Sequence, residues 1–149
     1  TDARAPMPER TKVVFTAHSL PQRIVAAGDP YPDQLRSTAE AVAEAAGLDR
    51  WTGWSIAWQS AGRTPEPWLG PDILAVIDDL AAAENDAAEP QGILVSAVGF
   101  VADHLEVLYD LDIEAAKRAD SHGIAFTRTA CVNDDPTVMA ALAQRVLGA

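Results

Sequence analysis

The chain has 149 residues, of which 48% are apolar and 22% charged, a composition that fits one globular domain and excludes disorder. Its formal net charge of −11 argues against a nucleic-acid partner, because affinity for phosphates comes largely from Lys and Arg, whereas it suits a cationic substrate. The single cysteine, Cys131, excludes an internal disulfide framework and an iron–sulfur site built on several thiolates of this chain.

The first residues predict a lead-in that precedes the domain. Residues 1–11 are polar, contain proline and show no helix or strand period, which is typical of a linker, so the predicted domain spans 12–149. No apolar run approaches the roughly 20 residues that a membrane-spanning helix needs. No charged-then-apolar signal sequence opens the chain either, and we expect a cytoplasmic protein without a membrane span.

Short apolar runs alternate with helical patterns along the rest of the chain. Strands are predicted at 12–17, 54–58, 92–98 and 123–127. Helices are predicted at 31–47, where Gly47 marks the carboxyl end, and at 71–84, 103–119 and about 136–147, and a polar loop is predicted at 85–91. This alternation predicts an α/β fold, a four-stranded parallel sheet with helices on both faces and a Rossmann-like shape. Ligands bind such sheets beyond the carboxyl ends of the strands, so the loops after the first three strands are the informative ones.

The loops after the first two strands each carry a candidate residue. His18 follows the first strand, where a half-desolvated imidazole could exchange a proton near neutral pH or simply cap the loop by a hydrogen bond. The second loop, 58–71, is made rigid by its prolines and contains Trp68. The flat apolar face of this residue could bind a planar ligand, or the side chain could fill part of the core. Ser60 lies near the start of the same loop.

Three carboxylates follow the third strand at a regular spacing. Glu106, Asp110 and Glu114 step by four positions, so on an α-helix they form an acidic stripe down one side, with Asp112 on the opposite face. Like charges at this spacing destabilise a helix by a few tenths of a kcal/mol per pair unless a cation or solvent relieves them. Carboxylate oxygens suit transient capture of a divalent ion, while the alternative is an exposed acidic surface.

His104 lies two positions before Glu106, and two such residues do not share a face of a regular helix. If both reach one site, the first turn must be irregular or widened, as in the π-bulges common at functional sites. A regular α-helix from Asp103 onward would contradict this hypothesis. Among the remaining residues, His122 and Gly123 predict a helix end, and Cys131 is interpreted as a small buried apolar residue.

Several other chemistries lack their motifs. No glycine-rich phosphate loop opens a predicted helix, no Gly-x-Ser-x-Gly elbow is present, and no histidine pair has the spacing of a zinc protease. Five segments instead resemble the ferrochelatase family: FTAHSLP at 15–21, GDPYPDQL at 28–35, WQSAGRTPEPWLGPD at 58–72, VGFVADHLEVLYDLDIE at 98–114 and NDDPTVMAALA at 133–143. The amino-acid sequences of these segments are most similar to the Gram-positive form of the family, which resembles coproporphyrin ferrochelatases.

The resemblance implies an enzyme of haem biosynthesis that inserts Fe²⁺, its substrate, into a porphyrin, with coproporphyrin III favoured. It implies that His18 faces the porphyrin centre and that Glu106 lies on the opposite side of that centre, both being catalytic and metal-binding. Asp110 and Glu114 match an acidic line that leads outward from the centre and serves as a path for metal delivery or for the exit of protons. The implied substrate-binding residues are Trp68, Ser60 and His104. No permanent cofactor is implied, and one cysteine predicts no iron–sulfur cluster of the kind that some relatives carry.

The resemblance also implies that this chain is the carboxy-terminal half of a longer enzyme. The family is normally about twice this length, with an amino-terminal domain that this chain lacks, so the chain alone is expected to be an inactive half. The alternatives are insertion into protoporphyrin IX, a short form that pairs with itself and prefers cobalt, and a tetrapyrrole or metal carrier without turnover. A signalling or scaffold domain of flavodoxin-like shape would leave the acidic stripe facing solvent.

Overall fold

The computed structural model describes residues 7–48, 53–82 and 91–148. Its strands are β1 (Thr11–His18), β2 (Trp54–Gln59), β3 (Gly92–Ser96) and β4 (Ala125–Arg128). Each run of apolar and β-branched residues predicted as a strand is one, with ends shifted by one or two residues. The domain boundary near residue 12 is not tested by the structure, and residues 1–6 of the predicted lead-in lie outside the described residues.

The described strands form one parallel sheet in the order β2-β1-β3-β4. Phe15 of β1 pairs with Ile56 of β2 on one side and with Ser96 of β3 on the other. The chain therefore leaves β1 in one direction to form β2 and crosses back to form β3. The strand order reverses between β1 and β3, which is where ligands bind in open α/β sheets.

Helices cover both faces of the sheet. The helices of the described ranges are α1 (Gln22–Ala26), α2 (Tyr31–Ala45), α3 (Ile73–Ala82), α4 (Leu105–Val107), a π-helix named π1 (Leu108–Ala115), α5 (Ala116–Ser121) and α6 (Pro136–Leu147), of which α1 and α6 bury no residue. The short helix α1 is absent from the sequence-based prediction. Residues 83–84 of the predicted second long helix, and residues 85–90 of the predicted polar loop, lie outside the described residues.

Alternate residues of β1 face opposite sides of the sheet, as the strand period requires. Val14 packs in a cluster with α3, π1 and α5, whereas Val13 and Phe15 pack with Ala39 and Ala43 of α2. The predicted α/β architecture, a four-stranded parallel sheet with helices on both faces, is confirmed. In the described part of the chain, no helix is long and apolar enough to cross a membrane.

Two helices end at the glycines that the sequence predicts. Gly47 and Gly123 have φ angles of 67° and 70°, the left-handed backbone that glycine adopts without strain. After Gly47, the amide of Leu48 donates to the carbonyl of Ala43 at 2.9 Å, and Ile124 donates to Ala119 in the same way at 3.0 Å. Both ends are Schellman motifs, which satisfy carbonyls that a helix end would otherwise leave unpaired.

The helical stretch after β3 differs from the predicted α-helix at 103–119. It begins at Leu105, after His104 in extended conformation, and becomes a π-helix from Leu108 to Ala115. A widened helix is present, but the widening follows the first turn, where the hypothesis had placed it, and His104 caps that turn through its hydrogen bond from the amide of Glu106. A π-helix has more residues per turn than an α-helix, so a step of four still returns close to the same side and the acidic stripe persists.

Candidate functional site

His18 is the last residue of β1, at the carboxyl end of a central strand. Its Nδ1 lies 2.6 Å from the carbonyl oxygen of Ser19. A carbonyl only accepts hydrogen bonds, so Nδ1 carries the proton and Nε2 of the neutral ring keeps its lone pair. The imidazole therefore presents a free base or metal ligand outward from the sheet.

The backbone around His18 is held on several sides. Ser19 is buried, its amide donates to the carbonyl of Gln59 at 2.8 Å, and its hydroxyl donates to the carbonyl of Leu69 at 2.9 Å. The hydroxyl of Tyr31 donates to the carbonyl of His18 at 3.2 Å, and burial raises the pKa of this phenol. These bonds tie the histidine to β2, to the loop after β2 and to α2, which limits how far its ring can shift.

Glu106, in the short helix α4, faces the imidazole. Its Oε2 lies 3.7 Å from Nε2 of His18, and the two side chains are 53% and 36% exposed. The lone pair of a neutral imidazole and a carboxylate oxygen thus point into the same solvent-accessible space at the switch between β1 and β3. Such a pair can hold a divalent cation between them, or can share a proton.

Asp110, about one turn after Glu106, is part of a series of hydrogen-bonded polar side chains that extends into the sheet. The hydroxyl of Thr16 donates to Oε1 of Gln59 at 2.9 Å, and Nε2 of Gln59 donates to Asp110 at 3.4 Å. Both Thr16 and Gln59 are buried. The hydroxyl of Ser60 also donates to Asp110, from a backbone with a φ of 58°, which is uncommon outside glycine and concentrates at functional sites.

A cavity of about 250 Å³ lies beside Asp110. Asp72, Asp110 and Glu114 line it together with Arg63, so its charge is negative on balance and favours a cation. Burial raises the pKa of Asp72, and the nearby charge of Asp110 raises it further. The amide of Leu74 donates to the same carboxylate at 2.8 Å.

The four predicted metal-binding residues do not form one coordination sphere. In the described ranges, no group of three or more His, Cys, Asp or Glu side chains is arranged to hold a metal ion. His18 and Glu106 form a pair, whereas Asp110 and Glu114 line the adjacent cavity. The arrangement suits successive weak contacts with a moving ion better than a resident metal.

Trp68 lies in the loop after β2, half-buried. Its indole Nε1 donates to the hydroxyl of Thr64 at 2.9 Å, and its backbone pairs with Pro21. Gly62 passes directly across the ring, since a Cβ at that position would lie 2.8 Å from Cη2 of Trp68. The ring is therefore positioned by its own loop, and the alternative of a fully buried plug in the core is not what the structure has.

His104 caps the start of α4. Its Nδ1 accepts a hydrogen bond from the amide of Glu106 at 3.2 Å, and its ring packs edge-on against Phe100 with centroids 5.1 Å apart. These contacts hold the backbone of Glu106, which is a role in positioning. Whether His104 or Trp68 contacts a substrate stays a prediction.

Sequence reasoning missed the buried polar pair Thr16 and Gln59, and also Asp72 and Arg63 in the cavity. The signal for Thr16 and Gln59 was present, because each directly follows a run of three apolar residues in its strand, and a buried polar side chain needs a partner. Their partners lie in other elements, so the pattern alone does not name them.

The comparison with known protein families identifies the family of the chain. The family model described as Ferrochelatase matches residues 1–149. The chain belongs to the ferrochelatase family. The resemblance predicted from the motifs of the first three loops is therefore confirmed.

Individual ferrochelatase relatives are similar over nearly all of this chain. The coproporphyrin III ferrochelatase of Geobacillus thermodenitrificans is 47% identical over 139 residues, which are 93% of this chain and 42% of that protein. The coproporphyrin III ferrochelatase of Bacillus pumilus is 47% identical over 135 residues, covering 91% and 41%. A ferrochelatase of Herpetosiphon aurantiacus is 44% identical over 140 residues, covering 94% and 43%. The chain thus spans less than half the length of these curated relatives.

One feature implied by the family resemblance does not fit the side-chain positions in this structure. The resemblance places Glu106 across the porphyrin from His18, but their facing atoms are 3.7 Å apart. A flat ring needs about 3.5 Å of clearance on each side, so about 7 Å would have to separate the two groups. With the side chains in these positions, a planar ligand would have to lie on one side of both.

Proposed function

We propose that this chain supplies the metal-handling side of a ferrochelatase that inserts Fe²⁺ into coproporphyrin III in haem biosynthesis. The observation that carries the proposal is the His18–Glu106 pair, in which Nε2 of His18 lies 3.7 Å from Oε2 of Glu106. Two ligand bonds of about 2.1 Å span up to about 4.2 Å. One divalent ion can therefore bridge these two atoms without any movement of the backbone.

The chemistry needed is a balanced exchange. Fe²⁺ enters the macrocycle, sheds its water, and replaces two pyrrole protons, which must leave. A metal held by His18 and Glu106 on one face of the ring is presented to the pyrrole nitrogens, and each side chain that releases the metal becomes a proton acceptor. The same pair thus serves first as ligand and then as base.

The surroundings support a flat apolar substrate and a cationic one. Val101 and Leu105, on the segment that carries Glu106, are strongly exposed apolar side chains of the kind that a porphyrin face covers. Trp68 offers a flat surface on the loop after β2. The acidic cavity lined by Asp110 and Glu114 favours divalent cations, and Asp110 follows Glu106 by four residues on the same segment, as a delivery path would require.

Coproporphyrin III is the favoured porphyrin because two of the relatives described above carry that name. Protoporphyrin IX is the alternative within the same chemistry. Since the chain covers 41% to 43% of those relatives, the proposed enzyme combines this domain with a segment corresponding to their remaining part. In this proposal Fe²⁺ is a substrate and no permanent cofactor takes part.

The test is anaerobic metal insertion, followed by the fluorescence of zinc porphyrin and by the absorbance of iron porphyrin. The chain is assayed alone and joined to the amino-terminal segment of the Geobacillus thermodenitrificans relative, with coproporphyrin III and protoporphyrin IX side by side. His18→Ala is the test variant. His122→Ala is the matched control, because His122 pairs with Asp78 at 3.0 Å in a separate ion pair.

We expect His18→Ala to lower kcat by at least about 100-fold, the usual contribution of a positioned acid–base group, and His122→Ala to leave it unchanged. Faster turnover of coproporphyrin III would support the named substrate. Equal rates for the two variants would refute the role of the pair. Porphyrin binding without turnover, with affinity lowered by His18→Ala, would instead establish a carrier.

A further inference from the structure

We propose that Arg128 is a positioning residue for metal insertion. Its guanidinium forms a clamp, meaning its ion pairs to two carboxylates that lie on either side of Glu106 and Asp110 in the chain. This inference rests on the function proposed above. Arg128 is the last residue of the edge strand β4, and its side chain is only 13% exposed. Its side chain donates to Asp112, to Asp103 and to the carbonyl of Thr129, so it would act through the backbone that presents Glu106.

The clamp consists of two ion pairs to carboxylates on either side of Glu106 and Asp110. Nε and Nη2 of Arg128 donate to the two oxygens of Asp112 at 2.5 and 2.8 Å, a bidentate arrangement. Nη1 donates to Asp103 at 2.7 Å. Asp103 immediately precedes the helix cap His104, and Asp112 lies within the π-helix. One rigid cation therefore fixes the start and the middle of the stretch.

The Asp103 end of the clamp is reinforced by the loop after β4. Asn133, with a φ of 50°, donates to Asp103 at 2.8 Å, and its side-chain oxygen accepts from the amide of Asp103 at 2.9 Å. The amide of Asn133 donates to the carbonyl of Val101 at 2.8 Å. The hydrogen bond from Asn133, with further hydrogen bonds from Cys131 and Arg128, lowers the pKa of Asp103 to about 2, so the carboxylate stays charged.

The segment needs such support because its own structure is weak. Glu106 lies in an α-helix of three residues, followed by a π-helix, whose hydrogen-bonding pattern is rare. Like charges at Glu106, Asp110 and Glu114 oppose helix formation further. On the buried side, Val107 and Leu111 anchor the segment in the core. Arg128 supplies the polar anchor that fixes rotation of the segment about its axis.

Lysine cannot replace this anchor. The planar guanidinium matches the two oxygens of Asp112 while a third nitrogen reaches Asp103, whereas an ammonium is a point charge without that fork. Arg128→Lys therefore keeps the charge and removes the geometry. If Glu106 then moves by about 1 Å, the expected loss of rate is about 100-fold.

The test compares Arg128→Lys and Asp112→Asn with two controls in the enzyme joined as above. Arg118→Lys is the matched arginine control, since Arg118 makes a single exposed ion pair to Asp78 at 3.3 Å. Ile77→Val is a destabilised control, from a core position buried in α3. The readouts are kcat and KM for the porphyrin, and hydrogen exchange of the amides of residues 105–115.

We expect both clamp variants to lower kcat by about 10- to 100-fold with little change in porphyrin KM, and to raise exchange only at 105–115. The controls should do neither, which separates positioning from loss of stability. Unchanged kcat in both clamp variants, or an equal loss in Ile77→Val, would overturn the proposal.

The exchange measurement does not depend on turnover, so it separates this inference from the proposed function. If the wild-type protein inserts no metal but Arg128→Lys loosens residues 105–115 alone, the clamp stands and the proposed function fails. If protection of 105–115 is unchanged in both clamp variants, the clamp is refuted whatever the activity.

Discussion

Gly99 offers a sharp test of how the site is held together. The residue lies in the turn after β3, and its amide donates to the carbonyl of Thr16 at 3.0 Å. A Cβ at this position would lie 2.7 Å from Cα of Ala17, and closer still to Cβ of Ala17. These atoms belong to β1, whose backbone cannot rotate away as a long side chain can. Gly99→Ala therefore forces apart the strand that carries His18 and the loop that leads to Glu106.

The expected cost is about 1–3 kcal/mol in the free energy of unfolding, the range for overpacking a tight interior. Replacing glycine by alanine also stabilises by about 0.4–1 kcal/mol through the unfolded chain, and this effect must be subtracted. Gly70→Ala supplies the correction, since a Cβ there meets no atom closer than 3.9 Å apart from those of its two chain neighbours. The difference between the two variants isolates the steric contact.

Urea unfolding of both variants, followed by far-ultraviolet circular dichroism, measures that difference. A Gly99→Ala protein less stable than Gly70→Ala by about 1–3 kcal/mol is the expected result. The same displacement should lower metal insertion in the joined enzyme, because Ala17 directly precedes His18. Equal stability of the two variants would refute the close approach of the turn to β1.

Two further predictions concern the anchors of the helical stretch after β3. The pKa of Asp103 is lowered from 3.8 to about 2, chiefly by the hydrogen bond from Asn133. The charged carboxylate therefore contributes stability that is fully present above about pH 4 and is lost as the pH falls towards 2. The stability gap between wild type and Asp103→Asn, measured by urea unfolding, should close over that range, and a constant gap would contradict the shift. Leu111 is fully buried in the π-helix, so Leu111→Ala should cost about 2–5 kcal/mol, whereas Leu142→Ala, at an exposed position of α6, should change little.

Local sequence was sufficient for most elements of the fold. Strands were predicted from apolar runs, and the ends of α2 and α5 from Gly47 and Gly123, because these signals act within a few residues. The short helix α1 was missed for the opposite reason. Its first amide, from Gln22, donates to the carbonyl of Pro67 at 2.9 Å, a partner that lies in the loop after β2.

The candidate site divides in the same way. The acidic stripe of Glu106, Asp110 and Glu114 follows from spacing alone, and it survives the change from α-helix to π-helix. The partners of those residues do not follow from spacing. Asp110 joins Ser60 and Gln59, whereas Asp112, two positions further, turns to Arg128.

The sequence by itself determined the class of fold, the family and the loops in which the candidate residues lie. These depend on periodicity, helix ends and motifs, all of which are properties of neighbouring residues. Only the tertiary structure decided that the side chains of His18 and Glu106 lie 3.7 Å apart, that residues 108–115 form a π-helix, and that Arg128 binds both Asp103 and Asp112. Each of these depends on which strands lie side by side, and that order is set by packing between segments far apart in the chain.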